Sequence, residues 1–189
     1  MDFACCDFTV DIKPLKKALE KTGQWDKYPF RRLGNSPHKE MVDIWARYND
    51  IQPYLKTGDL SGLNDPHDSV WYRSELTELI KPIAYKIMAK VGGERLGGIL
   101  ITKLQPYGKI TTHTDDGWHA KYYDKYYVCI KDSGSKFIFE SGYIRPKEGQ
   151  VWWFDNGRPH GVENTNQERI AMIVCIKIDR RQQPCLGQQ

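Results

Sequence analysis

The sequence predicts a mainly β protein with flanking helices, in the form of a jelly roll. After Glu94, short runs rich in β-branched and aromatic residues alternate with Gly, Pro, Asp and Asn. Seven such runs with this punctuation are typical of a sandwich or barrel, and helices from the first half would cover one side of it. The runs are 96–104, 110–113, 126–130, 136–140, 150–154, 161–164 and 169–178.

The first ninety residues predict a mixture of elements. Pro14–Glu20 reads as a short helix, with a proline in its first turn. Met41–Tyr48 alternates apolar and charged residues as a strand does, and Val42, Ile44, Ala46 and Tyr48 share one face. Thr57–Ser69 is a loop by composition, and an amphipathic helix is expected from Ser69 to about Lys90.

Length and charge limit the class of protein. With 189 residues, the chain predicts one domain, 1–189, with a lead-in at 1–93 and a β core at 94–180. Lys plus Arg (28) less Asp plus Glu (24) gives a net charge of +4, short of the clustered excess of a dedicated nucleic-acid binder. No apolar run approaches the roughly 20 residues of a membrane span.

The cysteines and the N-terminus point to a cytoplasmic protein. Met1–Asp7 has no basic region followed by an apolar one, so no signal peptide is predicted. Five cysteines cannot all pair: Cys129 and Cys175 lie in apolar strand-like runs, Cys5 adjoins Cys6, and Cys185 falls in a polar tail. A reducing compartment fits this usage, and no two cysteines have the spacing of a zinc site.

The motif that carries chemistry is His113-Thr114-Asp115, followed 45 positions after the aspartate by His160. In a strand, residues two apart point to the same face, so His113 and Asp115 can converge on one ion. Two imidazoles and one carboxylate form the facial triad that binds Fe(II) with positions left open for O2 activation. A lone strand histidine would more often be a hydrogen-bonded structural residue, but the whole set favours a metal centre.

Arg169 lies nine residues after His160 and begins the last apolar strand. The competing interpretation is a surface arginine at a strand end. If its side chain points inward, an anionic partner is required, because an unpaired buried charge is costly. A dicarboxylate co-substrate provides such a partner, since the planar guanidinium grips a carboxylate in a bidentate way.

From Ile99 to Asp179 the chain resembles the aspartyl/asparaginyl β-hydroxylase-like branch of the Fe(II)- and 2-oxoglutarate-dependent oxygenases. The resemblance rests on 104–110 (LQPYGKI), His113-Thr114-Asp115, 149–156 (GQVWWFDN), His160, Asn164 and 169–174 (RIAMIV). It implies a double-stranded β-helix, a cupin-like jelly roll, that uses Fe(II), 2-oxoglutarate and O2. It also implies His113, Asp115 and His160 as iron ligands, Arg169 on the far carboxylate of 2-oxoglutarate, and polar contacts to co-substrate or substrate from Thr102, Lys125 and Tyr127.

One departure from that branch bears on the substrate. The animal peptidyl aspartyl hydroxylases have a glycine where this chain has Asp115, whereas the free amino-acid hydroxylases keep the carboxylate. This departure weakens the transfer of a peptidyl-aspartate substrate, and the sequence is otherwise silent on the substrate. In order of preference, the candidates are a free amino acid, a peptide or protein side chain, a small metabolite and a modified nucleotide. Basic residues around the site suit a substrate that bears a carboxylate, although each is more often a solvated charge: Lys109, Lys121, Lys125 and Arg158.

Three further residues are candidates for the substrate side of the site. Trp118 and His119 follow the triad directly and form either a lid over the metal or an ordinary loop. His38 lies in a polar, turn-like stretch and is a weaker candidate for lining the pocket. His67 is expected to be exposed and uninvolved.

Two other functions remain open at this point. A metal-dependent hydrolase would use the same three ligands to activate water, although Asp116 is its only candidate general base. A binding protein would keep the fold without turnover. Aromatic clusters such as Trp152–Phe154 also occur in single-strand nucleic-acid sites, which the small net charge disfavours. The sequence determines neither the oligomeric state nor the role of the first thirty residues.

Overall fold

A computed structural model describes residues 1–179, so Cys185 lies outside the described residues. The helices are α1 (Lys13–Leu19), α2 (Gln52–Thr57), α3 (Thr77–Lys90) and α4 (Gly117–Tyr122), with a 3-10 turn at Phe30–Arg32. The strands are β1 (Phe3–Thr9), β2 (Met41–Tyr48), β3 (Val70–Trp71), β4 (Gly93–Leu104), β5 (Lys109–His113), β6 (Asp124–Lys131), β7 (Lys136–Phe139), β8 (Gly142–Ile144), β9 (Gln150–Phe154), β10 (His160–Glu163) and β11 (Arg169–Ile178). No helix within residues 1–179 is long and apolar enough to cross a membrane.

The strands form two antiparallel sheets, as a jelly roll requires. The larger sheet has the order β1-β9-β6-β11-β4-β2-β3 and the smaller the order β5-β10-β7-β8. All seven strands predicted after Glu94 are present, as is the strand predicted at Met41–Tyr48, and β2 and β11 have the predicted bounds. The mainly β, cupin-like double-stranded β-helix is thus confirmed.

Strand β11 lies at the centre of the larger sheet and is buried on both faces. Its even-numbered residues, including Met172 and Val174, pack with the apolar face of α3 in the larger core. Its odd-numbered residues, including Ala171, face the smaller sheet and join a second core with Phe137 and Phe154. Burial on both faces explains why this segment is a continuous apolar run rather than an alternating one.

The structure differs from the prediction at the start of α3. The helix begins at Thr77 rather than at Ser69, because the preceding residues pair with β2 as the short strand β3. The Tyr72 N–H donates to the Ala46 carbonyl at 2.9 Å, and the Thr77 hydroxyl donates to the Tyr72 carbonyl at 2.7 Å. Pairing with a distant strand therefore overrides the local helical pattern.

The N-terminal segment has a structural role that the sequence does not reveal. Strand β1 pairs antiparallel with β9 at the edge of the larger sheet, with Phe3 opposite Phe154. The Phe3 ring packs on Phe139 of the smaller sheet, with 4.8 Å between centroids. The first strand thus covers one side of the second core, between the two sheets.

The close contact at Gly161 generates a stability prediction. A Cβ at this position would lie 2.9 Å from the Ile110 carbonyl oxygen and 3.2 Å from the Thr112 amide nitrogen, both on the paired strand β5. Because backbone atoms cannot rotate away, we expect Gly161→Ala to lower the free energy of unfolding by about 1–3 kcal/mol, measured by urea denaturation.

Gly23→Ala is the matched control, because no atom lies within 4 Å of its Cβ position. We expect this variant to stay within about 0.5 kcal/mol of the wild type. Equal stability of the two variants would contradict the tight packing of β10 on β5.

Candidate metal centre

The pairing of β5 with β10 brings the predicted ligands together. His160 lies directly opposite His113 in the register, and their ring centroids are 4.5 Å apart. Asp115 follows the end of β5, where its amide donates to the Asn156 carbonyl at 2.9 Å. Its carboxylate oxygens lie 3.4 Å from His113 Nε2 and 3.9 Å from His160 Nε2. The carboxylate therefore lies beside both imidazoles. Within residues 1–179, the group whose ligand atoms all lie within 4.8 Å of one another is His38, His113 and Asp115, and it does not include His160.

Backbone carbonyls determine which ring nitrogens are free to bind a metal. Nδ1 of His113 lies 2.8 Å from the Thr111 carbonyl, and Nδ1 of His160 lies 2.8 Å from the Arg158 carbonyl. Since a carbonyl only accepts, each Nδ1 carries a proton, which leaves each Nε2, on the side of Asp115, as the ring nitrogen available to a metal. His113 Nε2 is buried and has no hydrogen-bond partner. Such an orientation of ring nitrogens is the one that metal-ligating histidines use.

The protonation states also fit a cation site. Burial opposes ionisation of Asp115, but the neighbouring His113 and Lys125 outweigh it and hold the pKa of this carboxyl well below its usual range. Burial lowers the pKa of His160, which keeps its imidazole neutral. A deprotonated carboxylate and neutral imidazoles are the forms that bind metals. The donor set thus fits a divalent ion such as Fe(II).

His38 is a third histidine at the centre. One of its ring nitrogens lies within 4.8 Å of ligand atoms of both His113 and Asp115. However, the Arg31 guanidinium donates to His38 Nε2 at 2.9 Å, and a guanidinium cannot accept. Nε2 is therefore occupied as an acceptor and Nδ1 carries the proton, so His38 is a neighbour of the metal centre rather than a fourth ligand. Burial and then the Arg31 charge lower its pKa to about 2.

A cavity of about 400 Å³ lies between the sheets and contains the three ligands and Arg169. Arg169 is 3% exposed, and its Nε and Nη1 have no hydrogen-bond partner. Its guanidinium carbon lies 5.1 Å from the centroid of the Tyr127 ring. Within residues 1–179 no carboxylate forms an ion pair with it. An unpaired cation at this depth is costly unless a ligand supplies the anion.

Strand register places the other predicted residues along this cavity. Arg169 and every second residue to Cys175 share one face of β11. Thr102, Tyr127 and Lys125 lie opposite successive members of this series on the neighbouring strands β4 and β6. The four predicted polar residues thus follow one another from the Arg169 end toward the metal, and all line the cavity.

Lys125 lies between the metal centre and the mouth of the cavity. Its ammonium forms an ion pair with the Asp115 carboxylate, and its side chain is 16% exposed. Burial raises the pKa of the Cys175 thiol to about 11, against the opposing charge of Lys125. Burial and then the Lys125 charge lower the pKa of His119 to about 3. The lysine charge therefore acts on both the metal ligands and the mouth.

Helix α4 and the loop before β3 form the mouth. His119 Nε2 accepts from the Gly98 amide at 3.2 Å, which holds α4 against β4. Trp118 and His119 both line the cavity. The His67 ring is half-buried, 4.7 Å from Tyr48 and 5.1 Å from Trp118 between centroids. The prediction that His67 is exposed is therefore wrong, because packing against these rings covers it.

Strand β2 contributes cavity residues that the sequence analysis missed. Met41 and Trp45 line the cavity from the parity opposite to Ile44, and Arg31 lines it from the preceding loop. The pairing of β2 with β4 shifts register between Trp45 and Arg47, so Tyr48 also turns to the cavity side. Tyr48 was expected to share a face with Ile44; an irregularity in the strand separates them. The sequence feature that could have revealed this face is Asp43, a polar residue that has the same parity along β2 as Met41 and Trp45.

The chain is similar in structure to solved proteins. No protein-family model and no curated protein matches the sequence. It is similar in structure to an oxidoreductase of the 2OG-Fe(II) oxygenase family from Burkholderia pseudomallei (13% identity, TM-score 0.54), covering 77% of this chain and 72% of that one. It is also similar to a Pseudomonas putida prolyl-4-hydroxylase (12% identity, TM-score 0.53), covering 94% and 93%. The likeness establishes a shared fold.

The converging ligands predict a selective loss of metal affinity. Asp115→Asn removes the charge of the only carboxylate in the triad, and loss of outer-shell partners alone typically costs 10–100-fold in affinity. We therefore expect Zn(II) or anaerobic Fe(II) affinity to fall by about 100-fold or more, measured by calorimetry, while the circular dichroism spectrum is unchanged.

Asp116→Asn is the control. Asp116 is the next residue along the chain, but its side chain is 85% exposed and pairs with Lys121 rather than with the candidate metal ligands. Its metal affinity should match that of the wild type. Equal losses in both variants would mean that Asp115 is not a metal ligand.

Proposed function

We propose that the protein is an Fe(II)- and 2-oxoglutarate-dependent dioxygenase. In this proposal it hydroxylates a C–H bond of an amino acid, or of an aspartyl- or asparaginyl-type residue in a peptide or protein. The observation that carries the proposal is the buried Arg169 guanidinium, which among residues 1–179 has no anion paired with it and faces the same cavity as the three predicted ligands. The fold shared with 2OG-Fe(II) oxygenases supports the same assignment.

Each cavity residue then has a defined task. His113, Asp115 and His160 would hold Fe(II), and Arg169 would bind the far carboxylate of 2-oxoglutarate through paired hydrogen bonds. When bound, the metal and the co-substrate supply the activation of O2 that hydroxylation needs.

Two neighbours of Arg169 orient the co-substrate. Tyr127 packs its ring under the guanidinium and restricts its direction. Thr102 is 4% exposed and presents a hydroxyl to the same region of the cavity. The inner walls exclude water, which strengthens these charge interactions.

Assignment to the aspartyl/asparaginyl β-hydroxylase-like branch is part of the proposal. It rests on the resemblance of residues 99–179 and on the presence of Asp115 where the free amino-acid hydroxylases also have a carboxylate. The free thiols of Cys5, Cys6, Cys129 and Cys175 are compatible with a reducing, cytoplasmic compartment.

The competing functions explain fewer of the observations. A hydrolase needs a general base near the metal-bound water, but Asp116 is 85% exposed and pairs with Lys121 at 3.2 Å. A hydrolase would also have no use for a buried arginine at the other end of the cavity. A binding protein that has lost turnover would be expected to lose residues of the metal shell first, whereas His113, Asp115 and His160 are all present.

The test is an anaerobic titration of Fe(II) and 2-oxoglutarate. A weak visible charge-transfer band is expected when both bind the wild type. Arg169→Gln should weaken 2-oxoglutarate binding by about 2–5 kcal/mol, the cost of truncating one partner of a buried charge pair, while Fe(II) binding is unchanged.

Arg145→Gln is the matched control, since this arginine is exposed and contacts Tyr143 away from the cavity. Its band and 2-oxoglutarate affinity should equal those of the wild type. Tight zinc binding without any band in the wild type would reject the oxygenase and favour a hydrolase or a binding protein.

A further inference from the structure

The charges that line the cavity do not balance. Three cations face it: Arg31, Lys125 and Arg169. The buried anions are Asp115, which pairs with Lys125, and Asp43, which is 4% exposed and lies 3.4 Å from Arg31. Asp116 also lines the cavity, but it is 85% exposed and pairs with Lys121. Three cations less the two buried carboxylates leave an excess of one positive charge.

Loading the centre as proposed above does not remove this excess. A divalent metal adds two positive charges and 2-oxoglutarate adds two negative ones, so the sum is unchanged. Locally, the metal, Asp115, the co-substrate and Arg169 together are neutral. The Arg31–Asp43 pair is neutral as well. Lys125 is then the remaining cation, because the metal shares the Asp115 carboxylate that balances it.

The position of Lys125 determines which ligand its charge can serve. It lies opposite Cys175 and Phe154 in the sheet, at the end of the cavity away from Arg169. Of the four basic residues expected around the site, only Lys125 lines the cavity; Lys109, Lys121 and Arg158 are exposed to solvent. A cation with 16% exposure needs an anionic partner.

The walls of the mouth define the rest of the ligand. Trp45, Tyr48 and Trp118 present aromatic rings, and His119 is kept neutral by its burial and its surroundings. Flat, apolar rings favour an apolar or aromatic body over a polar one. A cavity of about 400 Å³ is near the lower end of the range for small-molecule sites. It must hold the co-substrate as well, which leaves room for a small second ligand.

We propose, on the basis of the function proposed above, that the substrate is a small anionic molecule with an apolar or aromatic body, and that Lys125 binds its anionic group. The aromatic mouth binds the body and so presents one of its C–H bonds to the metal side. Lys125 is thus a specificity-determining residue for substrate, and Arg169 serves the co-substrate.

The test uses protein loaded with Zn(II) and 2-oxoglutarate, which binds ligands but does not turn over. Calorimetry compares three probes that share one phenyl body: 3-phenylpropanoate, neutral 3-phenylpropanamide and cationic 3-phenylpropylamine. We expect the carboxylate to bind about 10- to 100-fold more tightly than the amide, the usual advantage of a hydrogen bond to a charged group. The amine should bind more weakly than the amide.

Substitutions assign this preference to one residue. Lys125→Met removes the charge at nearly constant length and should abolish the carboxylate preference. Lys125→Arg keeps a cation and should retain the preference. Lys121→Met is the matched control, since Lys121 is 77% exposed and pairs with Asp116, and it should behave as wild type.

Several results would overturn the inference. One is equal binding of the carboxylate and the amide; another is a carboxylate preference that survives in Lys125→Met. A loss of 2-oxoglutarate affinity without any loss of probe discrimination would reassign Lys125 to the co-substrate.

Two further results distinguish failure of the substrate class from failure of the proposed function. Tighter binding of N-acetyl-phenylalanine methylamide, a mimic of a protein-borne residue, than of 3-phenylpropanoate would reject the small anionic substrate. Failure of the wild type to bind 2-oxoglutarate at all would instead reject the proposed function, and this inference with it.

Discussion

The antiparallel pairing of β5 with β10 is the constraint on which the rest of the site depends. It puts His160 directly opposite His113, and a slip of one residue would turn every side chain of one strand to the other face. Gly161 permits this approach, because its missing side chain lets the β5 backbone come close. Each Nδ1 lies beside the carbonyl two residues earlier in its own segment, that of Thr111 or Arg158. Strand register therefore sets the relative position of the two imidazoles, and local backbone geometry sets which ring nitrogen faces Asp115.

The cations that line the central cavity cost the folded protein free energy. Arg169 and Lys125 are cations with little exposure, and burying a charge without a full set of partners costs free energy. The surrounding sheets compensate through two large apolar cores, one against α3 and one between the sheets. The protein thus uses packing elsewhere to keep charged groups where ligands need them.

An element could be predicted from the sequence when its residue pattern depends on neighbouring residues alone, and not when it depends on pairing with a distant strand. Strands β2 and β11 have the predicted bounds because their side-chain patterns depend on burial of each strand alone. Strand β1 was not predicted, since Phe3–Thr9 pairs with a strand about 145 residues away in sequence. The start of α3 was predicted too early, because pairing of Val70–Trp71 with β2 competes with the helical pattern.

The candidate site divides in the same way. The sequence by itself indicated the three candidate ligands and the arginine, because each prediction follows from residue type, the two-residue period of a strand and position near a strand end. Only the tertiary structure decided the mouth and the charge balance. Tyr48 reaches the cavity through a register shift, Arg31 is balanced by the distant Asp43, and Lys125 acquires its place from the register of β6 with β11. Each of these features depends on residues from separate strands or loops, and those residues come close to one another only when the strands have paired.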